Sequence, residues 1–219
     1  MKERMSIVHN CDCLEYMKTV EDKYFDLTIC DCPYGIKASS KDNSTRGKLA
    51  VAKSYTIKDW DDNAPDKEVF DEMLRVSKHC IIWGANHFIS KIPYDSSCWI
   101  VWDKQNGTCD FADCELAWTN FTSAVRKFEF RWAGMLQGNM KHKEVRIHPT
   151  QKPVALYAWL LQNYAKEGDK IFDPYLGSQS SRIAAYELNY DFVGCELDKE
   201  YFEEGNKRFA EHTSQLKLF

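Results

Sequence analysis

This chain has few of the features that mark membrane, secreted or disulfide-stabilised proteins. No apolar run approaches the roughly 20 residues that span a membrane, and the first residues are too polar for a secretory signal. The nine cysteines are an odd number and are scattered through strand-like segments, which favours free thiols in a reducing compartment. We therefore expect a cytoplasmic protein with no membrane partner.

The chain also lacks an excess of positive charge. Its 29 basic and 33 acidic residues give a formal charge of −4, so bulk electrostatics do not indicate a nucleic-acid binder. Contacts with nucleic acid would have to come from a local basic surface. The pairs Cys11/Cys13 and Cys30/Cys32 are spaced more closely than the roughly two- to four-residue gap usual in zinc sites, so we expect no metal site.

The periodicity predicts an α/β protein. A length of 219 residues suits one domain, 1–219, with one sizeable core. Apolar strand-like segments alternate with helical ones, which is the pattern of a mostly parallel sheet with helices on both faces. Strands are predicted over 5–10, 24–30, 80–84, 97–102, 114–119, 170–172 and 192–196, and residues 123–132 are predicted to be extended. Helices are predicted over 14–19, 66–77 and 153–165. Two more helices are predicted, one that ends at about residue 188 and one that begins at residue 198.

The stretch Asp31-Cys32-Pro33-Tyr34-Gly35 follows the predicted strand 24–30 directly. Ligands of open α/β sheets bind in the crevice beyond the carboxyl ends of the strands. Here the crevice would receive a carboxylate, backbone carbonyls and a flat ring, which together suit an exocyclic amino group on a stacked base. The alternative is an ordinary turn, because Asp, Pro and Gly are common turn residues.

The last third of the chain predicts a nucleotide-binding half. Strand 170–172 runs into a glycine-containing turn and a helix, and the next strand ends at Glu196, where a carboxylate can accept hydrogen bonds from two ribose hydroxyls. The fingerprint G-x-G-x-x-G is absent, which disfavours a dinucleotide. A cofactor with ribose and adenine but no pyrophosphate fits better. Asp12, at another strand end, either caps a helix or contacts this ligand.

Two basic, turn-rich segments are candidates for phosphate contacts. Segment 36–65 is long for a connection in a compact domain, and segment 134–147 is rich in turn residues. Solvated surface loops are the alternative. The cations predicted to contact nucleic acid are Lys37, Lys41, Arg46, Lys48, Lys53, Lys141, Lys143 and Arg146.

Four segments resemble the motifs of the amino-group DNA methyltransferases that use S-adenosylmethionine, in the permuted beta-class order. The catalytic Asp-Pro-Pro-Tyr motif of that family corresponds to 31–34, and its cofactor motif Asp-Pro-Phe-x-Gly-Ser-Gly corresponds to 173–179. The segment 148–153 (His-Pro-Thr-Gln-Lys-Pro) and Asn10-Cys11-Asp12 resemble two further motifs. The resemblance implies a Rossmann-like methyltransferase fold with a seven-stranded sheet in circularly permuted motif order.

The resemblance also implies residue roles. Asp31, Cys32, Pro33 and Tyr34 would be catalytic, with Asp31 and the Cys32 carbonyl holding the amino hydrogens of a flipped base against Tyr34. The residues implied for the cofactor are Asp12, Cys13, Asp31, His148, Thr150, Lys152, Asp173, Tyr175, Gly177, Ser178, Glu196 and Leu197. Cys32 departs from the family's first proline, and Gln179 from a glycine.

The resemblance implies a site-specific enzyme that methylates adenine N6 in double-stranded DNA, because an aspartate stands at position 31. A methyltransferase acting on cytosine N4 or on RNA is the nearest alternative, and a catalytically impaired protein that binds S-adenosylmethionine and DNA is another. The family implies a bacterial or phage origin and a restriction-modification setting. The end of the chain, Gln215-Leu216-Lys217-Leu218-Phe219, resembles the peptide with which bacterial replication proteins dock on the sliding clamp. A homodimer is a further expectation.

Overall fold

The computed structural model describes residues 4–37, 61–107, 112–133 and 136–214. The strands are β1 (Ser6–His9), β2 (Phe25–Cys30), β3 (Ser77–Trp83), β4 (Ile100–Asp103), β5 (Cys114–Thr119), β6 (Arg126–Glu129), β7 (Trp132–Ala133), β8 (Leu136–Gln137), β9 (Lys170–Asp173) and β10 (Asp191–Cys195). The helices are α1 (Cys13–Lys18), α2 (Lys67–Val76), α3 (Val154–Tyr164), α4 (Ser180–Glu187) and α5 (Lys199–Ser214).

The main sheet runs in the order β1-β10-β9-β2-β3-β5-β4-β6. Each neighbouring pair from β1 to β3 is parallel, β5 is antiparallel to both β3 and β4, and β6 lies parallel to β4 at the edge. The predicted mostly parallel sheet with helices is confirmed. It has eight strands in the described residues rather than seven, because the segment predicted only as extended contributes β6. Strands β7 and β8 form a separate hairpin.

The two faces of the sheet are covered by different helices, as the alternating pattern of β3 illustrates. Cys80 and Ile82 pack in one cluster with residues of α1 and α2, and Ile81 and Trp83 pack in another with residues of α3 and α4. A strand buried on both faces reads as a continuous apolar run, which is why β3 carries no polar alternation at its end.

The carboxyl ends of β1, β10, β9 and β2 lie side by side at one edge of the sheet. The loops that leave these strands therefore meet there, although they come from both ends of the chain. Within the described ranges no helix is long and apolar enough to cross a membrane. The eight cysteines in those ranges are all free thiols.

Candidate active site

A cavity of about 430 Å³ lies where these loops meet. Its volume falls in the range of small-molecule and cofactor sites, roughly 300–1,000 Å³. The structure brings together on its wall all but one of the residues predicted to contact a cofactor: Asp12, Cys13, Asp31, His148, Thr150, Lys152, Tyr175, Gly177, Ser178, Glu196 and Leu197. The exception is Asp173.

Glu196 is held in place by backbone donors at one end of the cavity. Its Oε2 accepts a hydrogen bond from the Gly177 N–H at 2.7 Å, and its Oε1 accepts one from the Asp198 N–H at 2.8 Å. An ionised carboxylate has about four lone-pair positions, so a carboxylate that accepts from backbone N–H groups can also accept from ligand hydroxyls. This residue therefore fits the ribose end of an adenosine-containing cofactor.

Asp12 caps a helix and also lines the cavity, so the two alternatives that the sequence left open are compatible. Its Oδ1 accepts from the N–H groups of Leu14 and Glu15 at 2.8 and 3.1 Å, which caps the first turn of α1. The same residue lines the cavity. Capping thus fixes a carboxylate at the wall of the cavity rather than competing with a role in binding.

Asp173 lies behind the cavity wall and braces the turn that follows β9. Its side chain is buried, with Oδ1 accepting from the Tyr175 N–H at 3.0 Å and Oδ2 accepting from the Ser181 hydroxyl at 2.5 Å. Burial raises the pKa of this carboxyl to about 7, although both hydrogen bonds favour its ionised form. Asp173 shapes the turn that carries Tyr175 and Gly177 to the cavity.

Asp31 belongs to a network of four side chains at the other end of the cavity. Its Oδ1 accepts from the Lys152 ammonium at 2.6 Å and from the Tyr34 hydroxyl at 2.9 Å. Lys152 also contacts Glu115 Oε2 at 2.9 Å and donates to the Tyr34 hydroxyl oxygen at 3.0 Å. Lys152, predicted as a cofactor residue, is thus paired with the predicted catalytic carboxylate, although it also lines the cavity.

The charges in this network balance. Glu115 forms a second ion pair with Lys104, so two carboxylates meet two ammonium groups. Burial opposes ionisation of Glu115, but Lys152 and Lys104 outweigh it and lower its pKa to about 2. Burial raises the pKa of Asp31, and the Glu115 charge adds to this rise while Lys152 offsets part of it. Asp31 is therefore the more basic carboxylate of the two.

The turn after Asp31 is fixed by a side chain from the next described segment. Asp61 Oδ1 accepts from the N–H groups of Tyr34 and Gly35 at 2.7 and 3.0 Å. Pro33 lines the cavity, whereas Cys32 is buried in the core cluster that α1 and α2 share. Residues 31–35 therefore form a turn and also contribute to the cavity wall.

The Tyr34 ring lies against both a histidine and a glycine. It stacks on the His87 ring with centroids 5.3 Å apart. A Cβ atom built on Gly84 would overlap the Tyr34 ring, and Gly84 has a φ of +70°, a conformation that other residues adopt at a cost. Gly84 therefore determines where the tyrosine ring lies.

Under the catalytic roles that the resemblance implies for Asp31 and Tyr34, Gly84→Ala is expected to displace the Tyr34 ring and to reduce turnover by about tenfold to a hundredfold, because small displacements beside a reacting group are costly. Steady-state kinetics would measure the loss. The matched control is Gly107→Ala, since Gly107 also has a positive φ of +70° but nothing lies within 4 Å of its added Cβ. Equal losses in both variants would show that backbone strain, not the ring, is responsible.

The predicted phosphate-contacting residues fall into three groups. Lys41, Arg46, Lys48 and Lys53 lie outside the described residues. Lys37, Lys141 and Lys143 are exposed, so they are accessible to an anionic partner. Arg146 is half-buried, and its guanidinium lies 4.4 Å from the centroid of the Trp132 ring, which makes it partly a packing residue.

The second basic segment is anchored by a half-buried ion pair. Glu144 contacts Arg208 of α5 at 2.7 Å and accepts from the Val154 N–H at 2.9 Å, at the start of α3. Its neighbours Lys141 and Lys143 are therefore presented from a fixed base. In the described ranges, no group of three or more His, Cys, Asp or Glu side chains is placed to hold a metal ion.

Sequence reasoning missed three residues of this site, namely Lys104, Glu115 and Gly84. Glu115 had a detectable signal, since it is a charged residue inside a strand otherwise read as apolar. Charged residues are rarely buried unless they are paired, so such a residue indicates a partner nearby. Its lysine partners are Lys104, which directly follows β4, and Lys152 in segment 148–153, and no local pattern connects either of them to Glu115.

Comparison with known proteins gives consistent matches along most of the chain. Residues 118–207 match the family model of the N6 and N4 methyltransferases, described as DNA methylase. The Type II methyltransferase M2.MboI of Moraxella bovis is 23% identical, over 96% of this chain and 89% of the relative. M2.DpnII of Streptococcus pneumoniae is 24% identical, over 94% and 90% respectively.

Solved structures share the fold. The M1.HpyAVI–SAM complex superposes with a TM-score of 0.59 at 19% identity, covering 92% of this chain and 98% of that one. PvuII DNA methyltransferase, which is cytosine-N4-specific, superposes with a TM-score of 0.60 at 10% identity, covering 97% and 91%. The resemblance that the motifs indicate is thereby confirmed.

Proposed function

We propose that this chain, as a member of the S-adenosylmethionine-dependent amino-group DNA methyltransferases, methylates N6 of adenine in DNA. The observation that carries the proposal is the position of Asp31. This carboxylate stands on the wall of the cavity that also holds Asp12 and Glu196, directly after β2. A base amino group held by Asp31 would therefore lie beside a ligand bound in the same cavity.

The residues present fit S-adenosylmethionine. Glu196 offers acceptors to ribose hydroxyls, Asp12 lies on the same wall, and Asp31 is at the far end of the cavity. When bound, S-adenosylmethionine supplies an electrophilic methyl group on a sulfonium centre. A dinucleotide fits less well, because the turn after β9 lacks the glycines that let a backbone approach a pyrophosphate.

Asp31 would orient the base amino group through its second oxygen. Its Oδ1 already accepts from Lys152 and Tyr34, and no described residue donates to its Oδ2. Oδ2 can therefore accept one amino hydrogen, and the backbone carbonyl of Cys32 would accept the other. The lone pair of the amino nitrogen is then freed from the ring and becomes nucleophilic. The base must leave the duplex stack to reach this position.

The exposed lysines would bind the DNA backbone. Lys37, Lys141 and Lys143 supply positive charge that contacts phosphates without reading sequence. We assign the same role to the predicted cations of segment 36–65. Residues 1–219 would then act as one methyltransferase domain, in which the basic segments 36–65 and 134–147 contact the substrate.

Adenine is preferred as the target because position 31 is an aspartate. The matched family model covers both N6 and N4 enzymes, and PvuII methyltransferase, with the same fold, is cytosine-N4-specific. The identity of the methylated base is therefore the measurement that matters most. The bacterial sources of the relatives agree with the expected bacterial cytoplasmic setting.

The test is methyl transfer from radiolabelled S-adenosylmethionine to mixed-sequence duplex DNA, with RNA of the same sequence as a second substrate. Digestion and chromatography should place the label in N6-methyladenine from DNA. Label in N4-methylcytosine would reassign the base, and label only in RNA would reassign the substrate. Binding of cofactor and DNA without any label would favour a protein that occupies DNA and does not modify it.

Two further partners stay predictions. The segment 215–219, which resembles a clamp-docking peptide, lies outside the described residues. Transfer of this peptide to an unrelated carrier should confer binding to a bacterial sliding clamp, and its deletion from the chain should abolish it. A second copy of the chain would enlarge the surface that reads DNA, and sedimentation with and without DNA would detect it.

A further inference from the structure

We propose that Glu115 is a positioning residue for Asp31, acting through Lys152 and Tyr34 to fix that carboxylate and keep it able to take up the proton leaving the substrate amino group. The inference rests on the proposed methyl transfer for its catalytic meaning. The structural part of the inference is that Glu115 fixes the position of the Asp31 carboxylate, and this part rests on the geometry of the described residues alone.

All three hydrogens of the Lys152 ammonium group have an acceptor in this arrangement. An ammonium group has three hydrogens, and its three acceptors are Asp31 Oδ1 at 2.6 Å, Glu115 Oε2 at 2.9 Å and the Tyr34 hydroxyl oxygen at 3.0 Å. The lysine side chain is only 4% exposed. Its position is therefore set by both carboxylates together, and removing either would let it move toward the other.

Tyr34 connects the same two carboxylates. Its hydroxyl lies 2.9 Å from Asp31 Oδ1 and 3.3 Å from Glu115 Oε2, so its single hydrogen has two anionic acceptors. Lys104 pairs with the other oxygen of Glu115, Oε1, and so restrains that carboxylate. Glu115 thus faces Asp31 across a lysine and a tyrosine, with its own rotation blocked.

This arrangement leaves one oxygen of Asp31 for chemistry. As the amino nitrogen forms its bond to the methyl carbon, the bond from that carbon to the sulfonium sulfur of the cofactor would break, with its electron pair going to sulfur. An N–H bond of the amino group must then break, with its electron pair remaining on nitrogen. The proton would move to Oδ2 of Asp31, forming an O–H bond, and would pass to solvent when the product leaves. The negative charge of Glu115 favours this uptake, because a like charge nearby disfavours the ionised form of Asp31.

Other titratable groups lie around Asp31 and Tyr34. Tyr157 of α3 and Asp173 of β9 also interact electrostatically with it, and Asp61 and His87 contact Tyr34. Replacing Glu115 alone removes none of these groups. The effect of its charge can therefore be isolated by one isosteric substitution.

The test uses Glu115→Gln, which keeps the shape and an acceptor oxygen but removes the charge. The Asp31 carboxyl is followed by ¹³C NMR titration, with its signal identified by its loss in Asp31→Asn. We expect the pKa of Asp31 to fall by about 1 in Glu115→Gln, as for loss of a nearby like charge. The acidic limb of the kcat–pH profile should move to lower pH by the same amount, with kcat reduced and the KM for cofactor little changed.

Two further variants keep the result interpretable. Glu115→Asp retains the charge and should keep the acidic limb at its wild-type position. Glu129→Gln removes a carboxylate from β6 that is exposed and paired with Lys127, and should change neither measurement. An unchanged Asp31 titration in Glu115→Gln would overturn the inference. Failure of the wild type to methylate any nucleic acid would overturn the proposed function, while the carboxyl titration would still decide whether Glu115 governs Asp31.

Discussion

Asp31→Asn is expected to lower kcat for methyl transfer about a thousandfold, within the range for loss of a general base. Asparagine preserves the shape and can still accept one hydrogen bond from Lys152. It cannot take up the proton that leaves the amino group, and its NH2 group, if turned toward the substrate, would oppose the amino hydrogens. Lys152 retains Glu115 as a counter-ion, so the fold should persist.

Single-turnover kinetics with labelled cofactor would measure this loss without interference from product release. The control is Asp71→Asn, because Asp71 lies on the exposed side of α2 and pairs only with Lys67 in the described contacts. Calorimetric titration of S-adenosylmethionine should give a much smaller change in affinity than in kcat. Turnover within tenfold of the wild type would remove Asp31 from the chemistry.

Lys152→Met is expected to lower the free energy of unfolding by about 3–5 kcal/mol, the usual result of removing one partner from a buried ion pair. Methionine fills a similar volume, so the loss is electrostatic. Asp31 and Glu115 would then face each other with only Lys104 to offset their charge. Methyl transfer should also be lost, because the repelled carboxylates would no longer hold the Tyr34 hydroxyl between them.

The pH dependence of this loss has a definite sign. In the wild type the pKa of Glu115 is lowered to about 2, so its contribution is present at neutral pH and is lost as pH falls below its ordinary value near 4.5. Without Lys152, mutual repulsion raises a carboxyl pKa in the folded state. The variant then loses stability as pH rises, and its deficit relative to the wild type should be larger at pH 8 than at pH 5.

Denaturant unfolding of both proteins at these two pH values would measure the difference. The rise in the pKa of Asp173 also affects stability over this interval, but it is common to both proteins and cancels in the comparison. Lys127→Met, which removes an exposed lysine, should cost little at either pH. A deficit that does not depend on pH would indicate a packing defect.

The sequence identified the elements that carry strong local signals. The strand before Asp31 and the helix after Pro153 were predicted within a residue or two, because apolar periodicity and a proline at the helix start are local features. The start of β3 was predicted late, at residue 80 instead of 77, since Lys78 and His79 are exposed and interrupt the apolar run. Tertiary pairing with β2 extends the strand across them.

The polar network at the site could not be predicted in the same way. Asp31, Glu115 and Lys152 come from segments separated by more than thirty residues each, and only the folded sheet brings them together. Motif resemblance placed Asp31 and Lys152 near one cofactor but gave no reason for them to touch. Glu115 belonged to no recognised motif, so its role depends entirely on the three-dimensional arrangement.

The edge of the sheet nearest the cavity joins the two ends of the polypeptide. β1 pairs with β10, so register partners such as His9 and Cys195 come from near opposite ends of the given sequence. On the ribosome, β1 emerges before β10 and can pair with it only after β10 has also emerged. The part of the cavity wall that carries Asp12 and Glu196, the residues that follow these two strands, is therefore absent until β10 has been synthesised. Such long-range closure also predicts slow folding.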